Sequence, residues 1–281
     1  MNKDTFKSEY GQLSDRDFRR LSAFIYETFG IYLPEKKHYL LQNRLLPRLR
    51  KLGFISYSAY ADYVLQQGEH GEETFEMISV VSTNKTEFFR EKAHFDTMQQ
   101  ELLPCFYEQK INIWSAGCSS GEEVYSLTML LGDEKSAENI SDFIVYGNDI
   151  SGRILEKAVK AVYPYRKIES IPEKYRRKYL MRSKNRTNAT IRIVPELRGK
   201  TKFVRENLVG NRDTMPLDFQ FVFCRNTLIY FDKETQYKVA SRLVEHLIPG
   251  GFLILGHAES LVNQMPEGIK LIHPTIYQKD M

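Results

Sequence analysis

The segment INIWSAGCSSGEE, Ile111 to Glu123, breaks a short apolar run into a loop of glycines and serines and then into two carboxylates. Apolar β-type residues ending in Gly117 and Gly121 describe a strand whose end lets a ligand approach the backbone, because glycine lacks Cβ and tolerates positive φ. The following run, VYSLTMLL from Val124 to Leu131, reads as a buried helix, so Glu122 and Glu123 fall in its first turn. Two fixed carboxylates repel a diphosphate, and neither a P-loop lysine nor a GxGxxG spacing is present. The strand end therefore suits a ligand that carries positive charge or hydroxyls.

Outward from this loop the same alternation continues. Beyond about residue 104, short β-rich runs (INIWSA, DFIVYGND, FQFVFCRN, GFLILGHAE) alternate with helical stretches, as in a doubly wound α/β sheet. Before it, from Leu13 to Val81, apolar residues recur at helical spacing, with breaks near Pro34 and Gly53. The expected organisation is a helical N-terminal domain over 1–85, a connecting helix over 86–104 and an α/β domain over 105–281. An insertion from Ala161 to Glu206 carries two alternating segments, Thr190–Val194 and Thr201–Arg205, which flank a turn with Gly199. They read as a small antiparallel hairpin, a β insertion of about 163–206.

Composition narrows the class. A chain of 281 residues that is 42% hydrophobic buries a substantial core. The polar start lacks a signal-peptide apolar region and no run is long enough to span a bilayer, so a cytoplasmic location is expected. Cys105, Cys118 and Cys224 cannot all pair, and reduced thiols are expected. The six histidines show no ligand spacing, so no metal is expected. A net charge of +4 and poorly interleaved aromatics disfavour nucleic acid. In KKHYLLQNRLLPRLRK, Arg44, Arg48 and Lys51 share one helical face and Leu41, Leu45, Leu49 and Leu52 another. Such a basic stripe suits an acidic partner, although Pro47 is expected to kink the helix.

In an open parallel sheet, ligands lie across the carboxyl ends of the strands. Four of these ends carry polar residues: the Gly117–Glu123 loop, Asp149, Asn207 with Leu208, and Arg225, Asn226 and Thr227. An Asp at the second strand end can accept two hydrogen bonds from a ribose diol, and together the four describe a nucleoside pocket.

Three segments, TNKTEFFR at Thr83–Arg90, WSAGCSSGEE at Trp114–Glu123 and FCRNTLIYFD at Phe223–Asp232, resemble in order and spacing the motifs of the CheR family of chemotaxis receptor methyltransferases. The resemblance extends from about Leu13 to Tyr277. It implies a Rossmann-like S-adenosylmethionine-dependent methyltransferase sheet with a small antiparallel β insertion, preceded by an all-helical domain. The implied reaction moves a methyl group from S-adenosylmethionine to the γ-carboxylate of glutamates in chemoreceptor cytoplasmic helices, giving S-adenosylhomocysteine. By similarity, Asn84, Thr86, Arg90, Gly117, Glu123, Asp149, Asn207, Leu208, Arg225 and Asn226 hold the cofactor. Arg90 and Tyr230 serve the transfer itself, and Arg44, Arg48, Arg50 and Lys51 face the acidic receptor bundle. The β insertion stays open as a place for a receptor C-terminal peptide, and a monomer is expected. Three departures stand out: Val124 replaces a family proline, NDIS stands where TDID is common, and Pro47 interrupts the basic helix. The rival reading is a non-catalytic adaptor with the same fold; a nicotinamide oxidoreductase is disfavoured by the glycine spacing.

Overall fold

The computed structural model describes residues 10–82, 85–136, 138–185, 187–210 and 214–281. The chain forms two compact units, one of Met1–Thr83 with Tyr230–Asp232 and one of Asn84–Ile229 with Lys233–Met281.

The first unit is helical, with α1 (Asp15–Phe29), α2 (His38–Leu52), α3 (Tyr57–Gln67) and α4 (Glu72–Val81). Ser14 caps α1, its Oγ accepting from the Asp17 amide at 3.0 Å, and Gly30 ends it at φ 68°. Leu41, Leu45 and Leu49 on α2 are fully buried, each worth roughly 1.5–3 kcal/mol of burial. Leu52, expected on the same face, is exposed. The expected kink does not interrupt α2: Pro47 lies inside the helix, its ring on an exposed position, and the helix continues to Leu52. Tyr230–Asp232 belongs to this unit through a bridge between Ile31 and Phe231, a Tyr32 N–H to Tyr230 C=O bond of 2.8 Å and a Tyr26 O–H to Asp232 bond of 2.6 Å.

The second unit is built on a seven-stranded sheet. Its strands are β1 (Lys110–Ala116), β2 (Asp142–Asp149), β6 (Thr201–Arg205), β7 (Phe219–Cys224), β8 (Leu247–Leu255), β9 (Ile269–His273) and β10 (Ile276–Lys279). The order is β6-β2-β1-β7-β8-β10-β9, parallel from β6 through β8 and antiparallel at β10 and β9. All six residues of β7, FQFVFC, are buried, as a strand covered on both faces requires. The chain steps from β1 outward through β2 to β6, then returns to place β7 on the other side of β1. That reversal opens a crevice at the carboxyl ends of β1 and β7. Helices α6 (Glu122–Ser136), α7 (Gly152–Lys160) and α10 (Lys233–Glu245) connect the strands.

Two expectations change. Thr190–Val194 and Thr201–Arg205 do not pair with each other: β5 (Thr190–Ile193) joins β3 (Val162–Pro164) and β4 (Leu180–Arg182) in a separate three-stranded antiparallel sheet, whereas β6 pairs parallel to β2. The short helix α9 (Pro195–Arg198) separates them and sends the chain back to the main sheet. The connecting helix over 86–104 is also shorter than expected. It begins only at Lys92 as α5 (Lys92–Thr97), widens to a π turn over Met98–Leu102, tightens to a 3-10 turn over Leu103–Phe106, and leaves 85–91 irregular, with Phe89 and Glu91 at φ 50° and 55°. Cys118 and Cys224 are buried free thiols and Cys105 is exposed.

Candidate functional site

The glycine loop leaves β1 through Gly117 at φ 78° and enters α6 through Gly121 at φ 88°. A Cβ on Gly117 would lie 2.5 Å from Thr227 Oγ1, and one on Gly121 would lie 2.8 Å from Ala158 Cβ. Glycine is thus required twice, for the backbone angle and for the approach of β7 and α7. The Gly117 and Cys118 amides both donate to the Asn148 carbonyl, at 3.0 and 2.8 Å, fastening the loop to β2.

Asp149 stands at the end of β2. Its Oδ2 accepts from the Ser119 amide at 3.0 Å and its Oδ1 from the Ser151 amide at 2.9 Å. Burial pushes its pKa up, opposed by these amides and that of Ile150. A carboxylate has about four acceptor sites, so these amides leave acceptor capacity for hydroxyl donors.

Glu123, in the first turn of α6, accepts from Ser115 Oγ at 2.7 Å and from Arg225 Nη1 at 3.0 Å. Arg225, just past β7, is buried. It also donates to Glu91 Oε2 at 3.1 Å and to the Arg90 carbonyl, and its guanidinium lies 5.4 Å from the Phe95 ring. Asn226 takes φ 58°; its amide donates to Glu259 at 2.7 Å and its Nδ2 to Glu91 Oε1 at 3.3 Å. Sequence spacing places Arg225 and Asn226 against the ligand. The structure shows their hydrogen bonds committed largely to Glu91, Glu123 and Glu259, so they hold the carboxylates at this strand end in place.

Glu91 is the residue that sequence reading passed over. Burial disfavours its charge, but Arg225, Asn226 and the His257 amide outweigh that and its pKa is lowered. Nothing in the local pattern announces it, because the groups that hydrogen-bond its carboxylate lie more than 130 residues away. Glu91, His94 and His257 also bring ligand atoms within 4.8 Å of one another, a cluster that the scattered histidine spacing does not reveal. Arg225 already supplies the cation on this carboxylate.

His94 is buried, with Nε2 2.9 Å from Thr275 Oγ1 and Nδ1 3.5 Å from Glu91 Oε2. Burial, then the charge of Arg225, lowers its pKa from 6.5 to about 4, against the opposing pull of Glu91. Between those values the unfolded chain binds a proton that the folded chain does not. The contribution of His94 is therefore intact above pH 6.5 and is lost as pH falls toward 4, on the order of 2 kcal/mol after allowance for screening. Denaturant unfolding at neutral and mildly acid pH should show this loss in the native chain and a smaller one in His94→Gln.

The remaining expected residues are placed as follows. Arg90 is half-buried, with Nη1 on the Lys85 carbonyl at 2.9 Å and no other side-chain hydrogen bond among the described residues. Thr86 is half-buried and its carbonyl accepts from Lys167 at 3.1 Å. Asn207 and Leu208 lie in the loop after β6, where Arg242 Nη1 binds the carbonyls of both and that of Gly210 at 3.4, 3.1 and 2.9 Å. Asn84 lies outside the described residues. Tyr230 is half-buried within the helical unit.

On α2 the basic stripe divides. Arg50 and Lys51 are exposed, and Arg44 is half-buried with a bond to the Val81 carbonyl. Arg48 departs from the expectation: it is buried, its Nε 2.9 Å from Glu73 Oε1, its Nη2 on Glu73 Oε2 and its Nη1 2.6 Å from Glu76. A side chain spent on an internal ion pair presents no charge to a partner.

Residues 84–277 match the CheR methyltransferase SAM-binding domain, and residues 16–81 match the CheR methyltransferase all-alpha domain. The chain is similar to a chemotaxis protein methyltransferase of Escherichia coli K12, at 35% identity over 248 residues that cover 88% of this chain and 85% of the relative. It is similar to one from Klebsiella aerogenes at 34% over 267 residues, covering 94% and 90%, and to one from Borreliella burgdorferi at 31% over 272 residues, covering 94% of each. The strand-end crevice and both matched domains lead to one conclusion: the chain belongs to the CheR methyltransferase family and is a methyltransferase of chemotaxis with S-adenosylmethionine as its cofactor.

Proposed function

We propose that the protein methylates the γ-carboxylate of glutamate residues in chemoreceptor cytoplasmic helices. The observation that carries this reading is Arg90, a half-exposed guanidinium in a cofactor segment with most of its donors uncommitted among the described residues. Such a group can hold an incoming carboxylate by a two-point hydrogen bond. A glutamate is already charged near pH 7, so attack on the sulfonium methyl needs no general base, and the rate depends on alignment and exclusion of water. Methyl transfer then forms a carbon–oxygen bond to the acceptor and breaks the carbon–sulfur bond of the cofactor. The reaction leaves a neutral thioether and a neutral ester.

In this reading Glu123 takes the ammonium of the cofactor's amino-acid end and Asp149 its ribose hydroxyls. Thr86 and Gly117 line the same pocket, Asn207 and Leu208 flank the adenine, Asn84 is a further cofactor-binding residue and Tyr230 serves the methyl transfer. Arg50 and Lys51, with Arg44, meet the acidic receptor, and the antiparallel insertion is the place for a receptor tail peptide. The protein works as a monomer in the cytoplasm. No helix among the described residues is long and apolar enough to cross a membrane.

Two outcomes follow. Asp149→Ala should weaken S-adenosylhomocysteine binding by about 1–3 kcal/mol in calorimetry, the worth of two hydroxyl hydrogen bonds; unchanged affinity refutes the ribose assignment. Receptor fragments with glutamine in place of the acceptor glutamates should take up no methyl from labelled cofactor, because a neutral amide oxygen is a poor nucleophile. Equal labelling of the glutamine forms would sink the carboxylate reading.

A further inference from the structure

One side chain of the antiparallel insertion bonds both the start of α6 and the segment before α5. Glu122, first residue of α6, is fully buried beside the glycine loop. Its Oε2 accepts from Ser120 Oγ at 2.6 Å and its Oε1 is paired with Lys167, which lies in the short helix Tyr165–Ser170 of the insertion. The same Lys167 Nζ donates to the Thr86 carbonyl at 3.1 Å. One ammonium therefore ties together the start of α6 and the segment that carries Thr86 and Arg90.

Three neighbouring contacts run the same way. Tyr163, on β3, donates from its hydroxyl to the Ser120 carbonyl at 2.8 Å, and burial followed by the charge of Glu122 raises its pKa, which keeps that hydroxyl a donor. Its ring meets Phe88 edge to face at 4.9 Å, and Tyr175 on α8 (Glu173–Tyr179) stacks on Phe89 at 5.3 Å. From the other side, the Phe89 amide donates to Ser126 Oγ on α6 at 2.9 Å. The irregular 85–91 segment, with two residues at positive φ, has little regular structure of its own and takes its shape from these partners.

We infer that Lys167 is a positioning residue for S-adenosylmethionine: by bridging Glu122 and the Thr86 carbonyl, the insertion sets the distance between the glycine loop and the Thr86–Arg90 segment. It touches no cofactor atom in this account; it acts through the residues that do. The inference rests on the cofactor site and not on the identity of the methyl acceptor, so its test uses binding alone.

Calorimetry with S-adenosylhomocysteine on the full chain separates positioning from mere charge compensation. Lys167→Met should raise Kd about tenfold, the loss of charge-assisted hydrogen bonds to two groups, while Lys167→Arg, which keeps both donors, should stay within about threefold of the native value. Lys167→Met leaves a buried carboxylate unpaired, which threatens folding, so the Glu122→Gln/Lys167→Met pair removes both charges and carries the test if the single variant does not fold. The pair should melt near the native temperature yet still bind weakly, because the Thr86 carbonyl has lost its tie to the start of α6. Native affinity in the folded pair, or in Lys167→Met itself, would overturn the inference.

Discussion

Arg48→Met should cost the helical unit about 3–5 kcal/mol, the usual penalty for leaving a buried charge without its partner. Glu73 is buried and receives Arg48 Nε, Arg48 Nη2 and the Tyr60 hydroxyl, the last at 2.7 Å. Burial, reinforced by Glu73, raises the Tyr60 pKa far above its ordinary range, so Tyr60 remains a neutral donor to Glu73 and does not offset its charge. Hydrogen exchange of the α2 and α4 amides should accelerate toward the rate of a locally unfolded segment. Adding Glu73→Gln should recover much of the loss, since the offending charge is then gone. Exchange in Arg48→Met that matches the native chain would show that the pair contributes no more than a surface contact. The same experiment bears on receptor docking, because it separates Arg48 from Arg50 and Lys51. Replacing those exposed residues should leave exchange unchanged.

Arg225→Met has the second large effect, and it falls on the cofactor. This guanidinium holds Glu91 on one side and Glu123 on the other, with side-chain exposures of 2%, 14% and 16% for the three groups. Its removal frees two carboxylates to repel each other and releases the Arg90 carbonyl, so Glu123 no longer keeps its place beside the loop. The expected loss is about 3 kcal/mol in S-adenosylhomocysteine affinity, or roughly a hundredfold in Kd. Lys in place of Arg should recover only part of it, because a single ammonium cannot reproduce a fork aimed at two carboxylates. A Kd within threefold of native in Arg225→Met, by the ~0.6 kcal/mol scale of RT, would remove Arg225 from the account.

The legible part of this protein is the part whose meaning is local. A strand, a positive-φ glycine loop and an amphipathic helix all leave their pattern within some twenty residues, so Ile111–Leu131 announces its own geometry. Strand-end residues such as Asp149 and Arg225 follow from the same logic, because the sheet rule says where such residues point. The remainder depends on partners that local pattern does not contain. Arg48 looks like one more charge on a basic face until the fold sets it against Glu73 and Glu76 of another helix. Glu91 and Lys167 likewise acquire their roles only from distant residues. Thr190–Val194 and Thr201–Arg205 have hairpin spacing, yet each finds a better partner: β3 and β4 for one, the open edge of β2 for the other. Strand pattern specifies a pleated, half-buried segment and leaves the neighbour to the rest of the chain.

Methyl ester formation on receptor glutamates is open to direct measurement. The direct measurement is to incubate the protein with chemoreceptor cytoplasmic fragments and S-adenosylmethionine labelled in its methyl group, treat the isolated fragments with mild alkali, and count volatile label. Carboxyl methyl esters hydrolyse to methanol under these conditions, so the account predicts release of nearly all fragment-bound label, with little bound at all when Arg225→Met replaces the native protein. Label that stays on the fragments through alkali would mean transfer to nitrogen or sulfur, and no transfer from a protein that binds the cofactor would mean an adaptor; either result contradicts the account.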